Sequence, residues 1–415
     1  MSRLDELMKE LCPDGVPFKK LGEVATIIRG GNFQKKDYVE TGVPCIHYGQ
    51  IYTRFGLFVN EVISFISEEL ATKQKFASTG DIVMAVTSEN VEDVCKCVAW
   101  LGEGEVAVSG HAAIIHHMLD PKYLVYYLHT DQFFEQKRKL AHGTKVIEVT
   151  PDRLADIILP VPPIEVQREI ARILDTFTEL TAELTAELTA RQKQYEYYRD
   201  QLLTFVDNGG GATRSDICWL RISEIADTNI GLATTVTKYK VSDGVLLIHN
   251  SDIQQNAIVL KQHEYISEDF AIKNSKKRLQ KNDIITVHTG DVGTSAVIDE
   301  QYAGSIGFTT ITTRIRDQQR ILPKYLCHYL NSHRCKEDIA TMTISDRSNL
   351  NQKSFEQIVV PIPSRERQEE IISILDKFQT ICQDISFGLP AEIAARQRQY
   401  EYYRDKLLTF KPLEA

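Results

Sequence analysis

A fifteen-residue segment that occurs twice constrains the fold of this chain more than any other feature. It reads RQKQYEYYRDQLLTF at residues 191–205 and RQRQYEYYRDKLLTF at residues 396–410, with thirteen identical positions. Upstream, PVPPIEVQREI from Pro160 corresponds to PIPSRERQEEI from Pro361. A repeat of this period predicts two copies of one architecture. The offset grows from 201 to 205 between the two motifs, so the second copy contains four extra residues, about one helical turn.

Each copy predicts a long helix. Pro162 and Pro163 end the preceding strand, and nothing breaks a helix from Ile164 to about Phe205, a length of roughly 60 Å. One apolar stripe on such a helix requires a partner. A solvated spacer helix is the alternative, but we favour antiparallel pairing with the second copy. The residues assigned to helix pairing or subunit docking are Phe177, Leu180, Leu184, Leu188, Tyr195, Tyr198, Leu202, Phe378, Tyr400, Tyr403 and Leu407.

Two local features modify these helices. Residues 181–188 repeat the tetrapeptide TAEL, which resembles a length-setting element, although a simple alanine- and glutamate-rich helix has the same propensities. In the second copy, Gly388 and Pro390 predict a break, with Pro390 in the first turn of a new helix. Residues 207–213, rich in glycine, predict a flexible linker between the two halves.

The regions before each helix match weakly but along their whole length. GVPCIHYGQI from Gly42 aligns with GVLLIHNSDI from Gly244, and PKYL from Pro121 aligns with PKYL from Pro323. We expect strands at residues 43–51, 81–86 and 112–117, and helices at residues 67–75 and 122–139. The matching positions are apolar or turn-forming and the polar loops differ, so one scaffold carries two sets of loops.

These observations predict an α+β fold in which two similar mixed α/β domains are separated by two long antiparallel helices. The expected boundaries are 1–159 and 207–360 for the domains, 160–206 for the first helix and 361–415 for the second helix, broken near Pro390.

Composition excludes several classes of function. No apolar run approaches the roughly 20 residues that span a bilayer, and no signal peptide is present, so we expect a cytoplasmic protein. The net charge is −9, with a balance of −4 in residues 1–150 and zero in residues 206–357, so polyanion binding must come from local patches. Phosphate-loop, HExxH and GxSxG motifs are absent, and no catalytic residue is assigned.

Cysteine and histidine patterns do not favour metal. Cys95 and Cys97 with His111 fit no common zinc module, so no metal site is assigned. His47 and His249 lie in apolar runs typical of core positions. A GxGxxA match at residues 102–107 precedes a strand, which argues against a nucleotide site.

What remains is recognition chemistry. Amide and aromatic side chains suit base edges, and cations suit phosphates. The residues assigned to nucleic-acid contact are Arg29, Asn32, Gln34, Lys35, Lys36, Tyr48, Gln50, Arg54, Lys73, Lys75, Asn90 and Lys145 in the first half, and Asn250, Asp252, Gln254, Lys276, Lys277, Arg278, Arg347 and Asn349 in the second. For each of them, an ordinary solvated polar surface is the alternative.

The whole arrangement resembles the specificity subunits of type I restriction–modification systems. The resemblance rests on the PxPPxxxQ and RQxQYEYYRD motifs and the TAEL repeats, and it is closest to the group with TAEL-containing spacers (type IC-like). It implies two target-recognition domains that read a bipartite, asymmetric site in double-stranded DNA. It also implies helices that dock two modification subunits and, through them, restriction subunits.

The same resemblance implies that this chain is not an enzyme and holds no cofactor. S-adenosylmethionine, ATP and magnesium would be bound by the partner subunits. Two other functions remain open from the residues alone: a two-domain adaptor that binds proteins, and a self-contained methyltransferase or nuclease.

Overall fold

The computed structural model describes residues 2–205, 217–343, 349–383 and 388–413, and the predicted linker lies outside them. The chain divides into two compact units. Unit 1 comprises Met1–Thr185 and Glu392–Ala415, and unit 2 comprises Ala186–Ala391. Each unit therefore contains one mixed domain with segments of both long helical regions, a division that differs from the four segments expected from the sequence.

Unit 1 is built around two five-stranded sheets. Its strands are β1 (Phe18–Lys20), β2 (Ala25–Arg29), β3 (Tyr38–Val39), β4 (Val43–Ile46), β5 (Phe58–Val59), β6 (Phe65–Ile66), β7 (Lys75–Ala77), β8 (Ile82–Ala85), β9 (Thr87–Ser88), β10 (Cys97–Trp100), β11 (Val106–Val108), β12 (Ala112–His117), β13 (Ile147–Glu148) and β14 (Ile158–Pro160). The sheet orders are β2-β12-β8-β10-β5 and β3-β6-β4-β11-β7, with β1 paired to β14 and β13 to β9. Strand β8 is buried at every position, which explains its uninterrupted apolar sequence.

Short helices connect these strands. They are α1 (Arg3–Leu11), α2 (Leu21–Val24), α3 (Tyr48–Thr53), α4 (Glu68–Ala71), α5 (Pro121–Tyr127), α6 (Asp131–Leu140) and α7 (Pro151–Leu154), with a 3-10 turn at Lys35–Asp37. Three boundaries differ from the predictions. The strand expected at 43–51 ends at Ile46, because the ring of His47 accepts a hydrogen bond from Gly49 N and caps α3. The helix expected at 67–75 ends at Ala71, and β7 follows it. The helix expected at 122–139 is two helices, because Thr130 caps the second.

Unit 2 repeats the sheet order. Its strands are β15 (Cys218–Arg221), β16 (Ala226–Ile230), β17 (Lys240–Val241), β18 (Val245–His249), β19 (Ile253–Gln254), β20 (Ala257–Ile258), β21 (Tyr265–Ile266), β22 (Ile284–Val287), β23 (Ser295–Val297), β24 (Ile306–Phe308), β25 (Thr310–Ile315) and β26 (Val359–Ile362). The orders β16-β25-β22-β23 and β17-β21-β18-β24 match the first four strands of each large sheet in unit 1. The mixed α/β fold with a duplicated scaffold is therefore confirmed.

The helices of the second half follow the same plan. They are α9 (Ile222–Ile225), α10 (Glu268–Lys273), α11 (Pro323–Leu330), α12 (His333–Met342) and α13 (Gln352–Phe355), with 3-10 turns at Thr237–Tyr239, Asn250–Asp252, Ser275–Lys277 and Glu300–Tyr302. The long helices are α8 (Ile164–Leu203), α14 (Arg365–Gln383) and α15 (Leu389–Leu407). The uninterrupted first helix is confirmed, and Pro390 lies in the first turn of α15.

A glutamine fixes the joint between the unit 1 domain and α8. Gln167 Nε2 donates to Pro162 O at 2.7 Å, and its Oε1 accepts from Asp120 N at 2.8 Å. The Tyr123 hydroxyl donates to Pro160 O at 2.9 Å. Because these groups are largely buried, losing any of these bonds would leave a polar atom without a partner.

The same joint recurs in unit 2. Gln368 Nε2 donates to Pro363 O at 3.0 Å and Gln368 Oε1 accepts from Leu322 N at 2.9 Å. The Tyr325 hydroxyl donates to Pro361 O at 2.7 Å. The repeated Pro and Gln positions of the sequence are thus explained by one hydrogen-bonded joint that is built twice.

The two copies of the fifteen-residue segment make matching contacts. In unit 2, the Arg199 guanidinium lies 5.5 Å from the centroid of the buried Tyr195 ring, and Asp200 Oδ1 accepts from His333 N at the start of α12. In unit 1, Arg404 lies 5.7 Å from the Tyr400 ring. The carboxylate that follows it, Asp405, accepts from Asp131 N at the start of α6. Each copy therefore packs in a unit whose mixed domain comes from the other half of the sequence.

Aromatic stacking accompanies this packing. In unit 1 the rings of Phe177 and Tyr403 stack at 5.4 Å, and in unit 2 those of Tyr198 and Phe378 stack at 5.5 Å. Leu407 and Leu202 pack against the cores of units 1 and 2, respectively, whereas three other stripe residues are half-buried: Leu180, Leu184 and Leu188. The antiparallel arrangement of the whole helices stays a prediction.

Candidate nucleic-acid interface

Two adjoining cavities on unit 1 bring together five of the predicted contact residues. The first, of about 490 Å³, is lined by Arg29, Asn32, Gln34 and Tyr48. The second, of about 460 Å³, shares Tyr48 with the first and extends to Asn90. Both cavities also share His111, which the sequence suggested only as a possible metal ligand. Its signal was its place in the turn before β12, where an exposed side chain can reach the same surface as Tyr48.

Two glycines of this site, Gly30 and Gly31, allow the backbone to pack closely against neighbouring atoms. A Cβ at Gly30 would lie 2.3 Å from Ser109 O, and a Cβ at Gly31 would lie 2.1 Å from Gln74 Oε1. Neither glycine has a positive φ, so the close approach and not an unusual backbone conformation requires them. The close approach holds the loop that carries Asn32 against the turn at Ser109.

Tyr48 and His111 form an aromatic platform. Their ring centroids are 4.9 Å apart, and the Tyr48 backbone N donates to Ser109 Oγ at 2.9 Å. Thr87 Oγ1 lies 3.1 Å from His111 Nδ1 and orients the imidazole. Flat rings beside amide groups can contact both the faces and the edges of nucleobases.

Arg29 is anchored at the rim of the first cavity. Its Nε donates to Gly110 O at 2.7 Å and its Nη1 contacts Glu148 Oε1 at 2.7 Å. The side chain remains 44% exposed, so part of the guanidinium can still reach a ligand.

Other predicted cations of unit 1 lie on the surface. Within the described part of the chain, none of them forms an ion pair, so their charges are available to a polyanion. These residues are Lys35, Lys36, Arg54, Lys73, Lys75 and Lys145. Such positions suit phosphate contacts, which position a protein on nucleic acid without reading its sequence.

Two of the residues predicted to contact nucleic acid are buried, and their side chains close turns. Gln50 is 6% exposed; its Oε1 accepts from His47 N at 2.8 Å and its Nε2 donates to Ser64 Oγ. Asp252 is 2% exposed and accepts from the backbone N of both His249 and Lys261. In each case a polar side chain after a strand closes the following turn.

Two predicted cations of unit 2 are also engaged within the fold. Lys277 is half-buried and its Nζ donates to the backbone oxygens of Ile230 and Gly231, and burial lowers its pKa. Arg278 pairs with Glu268. Their assignment to DNA contact is therefore not supported, because both side chains already stabilise the domain.

Two of the remaining predicted residues of unit 2, Asn250 and Asn349, form a second site together with Thr289 and His288. Asn250 Nδ2 donates to Thr289 O at 2.6 Å, and Thr289 Oγ1 donates to Asn349 Oδ1 at 2.8 Å. His288 Nδ1 lies 2.9 Å from the same hydroxyl. Gln254 and Lys276 are exposed, and Arg347 lies outside the described residues.

The two sites occupy corresponding places in the two domains. Tyr48 follows β4 and Thr87 follows β8, as Asn250 follows β18 and Thr289 follows β22. Gly231 repeats the close approach of unit 1, since its Cβ would lie 2.3 Å from Gly307 O. At these equivalent places the two threonines are the same residue type, whereas unit 1 presents the Tyr48 ring where unit 2 presents the Asn250 amide.

The histidines and cysteines singled out earlier have structural surroundings. His47 is buried and burial lowers its pKa, as expected of a core residue, whereas His249 is half-buried and its Nε2 lies 2.8 Å from Glu264. Burial raises the pKa of Cys95 to about 12, and Cys97 is also buried. Across the described ranges, we find no group of three or more His, Cys, Asp or Glu residues that could hold a metal ion. Nor does any helix in these ranges have the length and apolar character needed to cross a membrane.

Comparison with known proteins gives a consistent result. The sequence model of the type I restriction modification DNA specificity domain matches residues 13–191 and 220–395. The specificity subunit of the type I restriction enzyme EcoR124I/EcoR124II from Escherichia coli is 33% identical over 307 residues, covering 70% of each chain. A putative type I restriction enzyme specificity subunit from Haemophilus influenzae is 26% identical over 411 residues, covering 95% of this chain and 96% of that protein.

Solved structures share the fold. A chain from a structure that describes complex assembly and conformational transition of the type I R-M system has a TM-score of 0.65 at 19% identity, covering 96% of this chain and 98% of that chain. The S subunit from M. genitalium has a TM-score of 0.54 at 15% identity, covering 95% and 96%. With a family match in each half and a relative that is 33% identical over 70% of each chain, the chain belongs to the type I restriction–modification DNA specificity family.

Proposed function

We propose that this chain reads a bipartite, asymmetric DNA site for a type I restriction–modification complex of the TAEL-repeat group. Each mixed domain contacts one part of the site, and the long helices dock two modification subunits and, through them, restriction subunits. The chain itself is non-catalytic, as specificity subunits are. S-adenosylmethionine, ATP and magnesium are bound by the partners, in the cytoplasm.

The observation that carries this proposal is the pair of corresponding but chemically different surfaces. A symmetric dimer of one domain would read two identical half-sites. Here the Tyr48 ring in unit 1 occupies the place that the Asn250 amide occupies in unit 2 on the same framework. Different donors, acceptors and ring faces at equivalent places support two different half-sites.

The net charge of the chain supports a function within a complex and not alone. The chain carries 48 basic and 57 acidic side chains, so its long-range field does not attract DNA. Its exposed cations are local, and they position the domains while basic surfaces of the partner subunits provide most of the phosphate neutralisation. We therefore expect weak DNA binding by the isolated chain and strong binding by the complex.

Methylation mapping tests the proposal. In cells that express this chain with its modification subunit, we expect an adenine-methylated motif in two parts with a fixed gap, and its loss when this chain is omitted. Methylation that is unchanged by the omission would contradict the assignment.

Substitutions can then connect each domain to one half of the motif. Tyr48→Ala with His111→Ala should relax or abolish recognition of one half, and Asn250→Ala should act on the other. Met118→Ala is a matched control, because this side chain is 95% exposed and lies outside both sites. If both sets of variants altered the same half, the division between the domains would be refuted.

A further inference from the structure

Unit 2 contains a cavity that lies apart from its candidate DNA site. Its volume is about 710 Å³, within the range of small-molecule sites. Its walls come from strand β20 at Ala257, strand β23 at Val297, helix α11 at Lys324 and His328, and helix α14 at Asp376. Most of the exposed lining is apolar, and the side chains of Lys281, Lys324 and His328 also line the cavity.

The corresponding place in unit 1 is filled by an aromatic ring. Phe58 lies with its centroid 5.6 Å from that of Tyr126, at an angle of 85°, and Lys122 Nζ lies 5.1 Å above the ring. In the sheet, Phe58 pairs with Ala99, which in turn faces Ile82. Three residues therefore mark the position of the Phe58 ring: Lys122, Tyr126 and Ala99.

All three reference points have counterparts that line the unit 2 cavity. The PKYL repeat aligns Lys324 with Lys122 and His328 with Tyr126. Val297 corresponds to Ala99, because it faces Ile284 as Ala99 faces Ile82.

The neighbouring segment in unit 2 places a small side chain here. Asn256 N donates to Ser295 O, so this segment runs beside β23 and brings Ala257 to the cavity. Among the described residues that line the cavity, none is a phenylalanine, tyrosine or tryptophan. The space that Phe58 occupies in unit 1 is thus left open in unit 2.

The lysine is held in the same way in both units. Lys122 Nζ contacts Asp175 Oδ2 at 2.6 Å, and Lys324 Nζ contacts Asp376 Oδ2 at 2.6 Å. In unit 2 the second oxygen of Asp376 lies 3.1 Å from His328 Nε2. The ammonium group and the imidazole are therefore fixed before any ligand arrives, which lowers the ordering cost of binding.

We propose that this cavity binds a single-ring aromatic compound from solution, with its ring beside His328 and beneath the Lys324 ammonium. A ring in this place would make the contacts that Phe58 makes in unit 1, including the attraction between a cation and the ring face. The site goes beyond DNA recognition and does not depend on it, since none of its residues belongs to the candidate interface.

Phenol is a suitable probe, titrated into the full-length chain and followed by NMR. We expect saturable binding at one site with a Kd on the order of 1 mM, as the size of the probe implies. Ala257→Phe should abolish it by placing a ring from the chain in the cavity. Ala257→Leu gives the same test with a smaller side chain if the first variant does not fold.

The equivalent place in unit 1, which Phe58 fills, supplies the reciprocal test. Phe58→Ala should open the equivalent space in unit 1 and raise the stoichiometry from one phenol to two. Absence of saturable binding to the wild-type chain, or unchanged binding to a folded Ala257 variant, would overturn the proposal. Neither outcome bears on the methylation experiment, so the two proposals can fail separately.

Discussion

The way in which each fifteen-residue segment packs in its unit predicts that a fragment with half of the chain, residues 1–205, dimerises. Residues 1–205 contain the whole first portion of unit 1 but lack the segment that completes its core, including the buried side chains of Tyr400 and Leu408. They do carry the matching copy, with Tyr195 and Leu203 at the corresponding positions. We therefore expect residues 1–205 to form a symmetric dimer in which each molecule supplies this segment to the other.

The cost of disrupting this dimer can be worked out from one residue. Leu203 would take the place of Leu408, which is fully buried in unit 1. Truncating a buried leucine to alanine costs about 2–5 kcal/mol. The dimer contains two such sites, so Leu203→Ala should weaken association by at least about 4 kcal/mol. With about 1.4 kcal/mol for each tenfold change, the dissociation constant should rise by about a thousandfold or more.

Analytical ultracentrifugation over a concentration series measures this directly. Tyr197→Ala is the matched control, since this side chain is 61% exposed, and the variant should dimerise nearly as well as the parent. A folded fragment that stays monomeric, or a Leu203→Ala fragment that dimerises as tightly as its parent, would refute the reasoning.

Three further predictions follow from single features. Deleting one TAEL unit, residues 181–184, removes about 6 Å of helix and should shorten the gap in the methylated motif by one to two base pairs, read by methylation mapping; an unchanged gap would contradict this. Gly30→Ala places a Cβ 2.3 Å from Ser109 O and should impair recognition of one half-site, as read by methylation mapping. Gly56→Ala is the control, because the space around this glycine is open and recognition should not change. The Lys240 ammonium, followed by His249, lowers the pKa of Glu264 from its ordinary 4.5, so this carboxylate stabilises the fold above that pH and loses its effect as pH falls through the lowered value. Glu264→Gln should therefore unfold more easily in denaturant at neutral pH, and equal stabilities of the two proteins there would contradict it.

The sequence predicted the long elements well because their signals are local or repeated. An uninterrupted apolar stripe marks α8, and a proline in a first turn marks α15. The duplicated scaffold was visible because apolar and turn positions recur with a constant spacing. Short elements were less predictable: a histidine cap at residue 47 converts the end of an expected strand into a helix.

The candidate sites were predicted only in part, for a physical reason. Gln50 and Asp252 have the same chemistry as base-reading side chains, but each closes the turn that follows a strand. Sequence alone does not distinguish a polar group that faces solvent from one that caps a turn, although the spacing of three residues from His47 to Gln50 is a capping signal. His111 was not among the predicted contact residues, because its place beside Tyr48 depends on the fold and the two residues lie far apart in sequence.

The matching attachment of the two fifteen-residue segments also has an evolutionary consequence. Asp200 and Asp405 accept hydrogen bonds from equivalent backbone N–H groups at the start of a helix in the two units. Either segment therefore suits either domain. Recombination between genes at these near-identical stretches would join a new domain to an old partner without changing the surface on which it packs. New combinations of half-sites could then arise in one genetic event, with the attachment already in place.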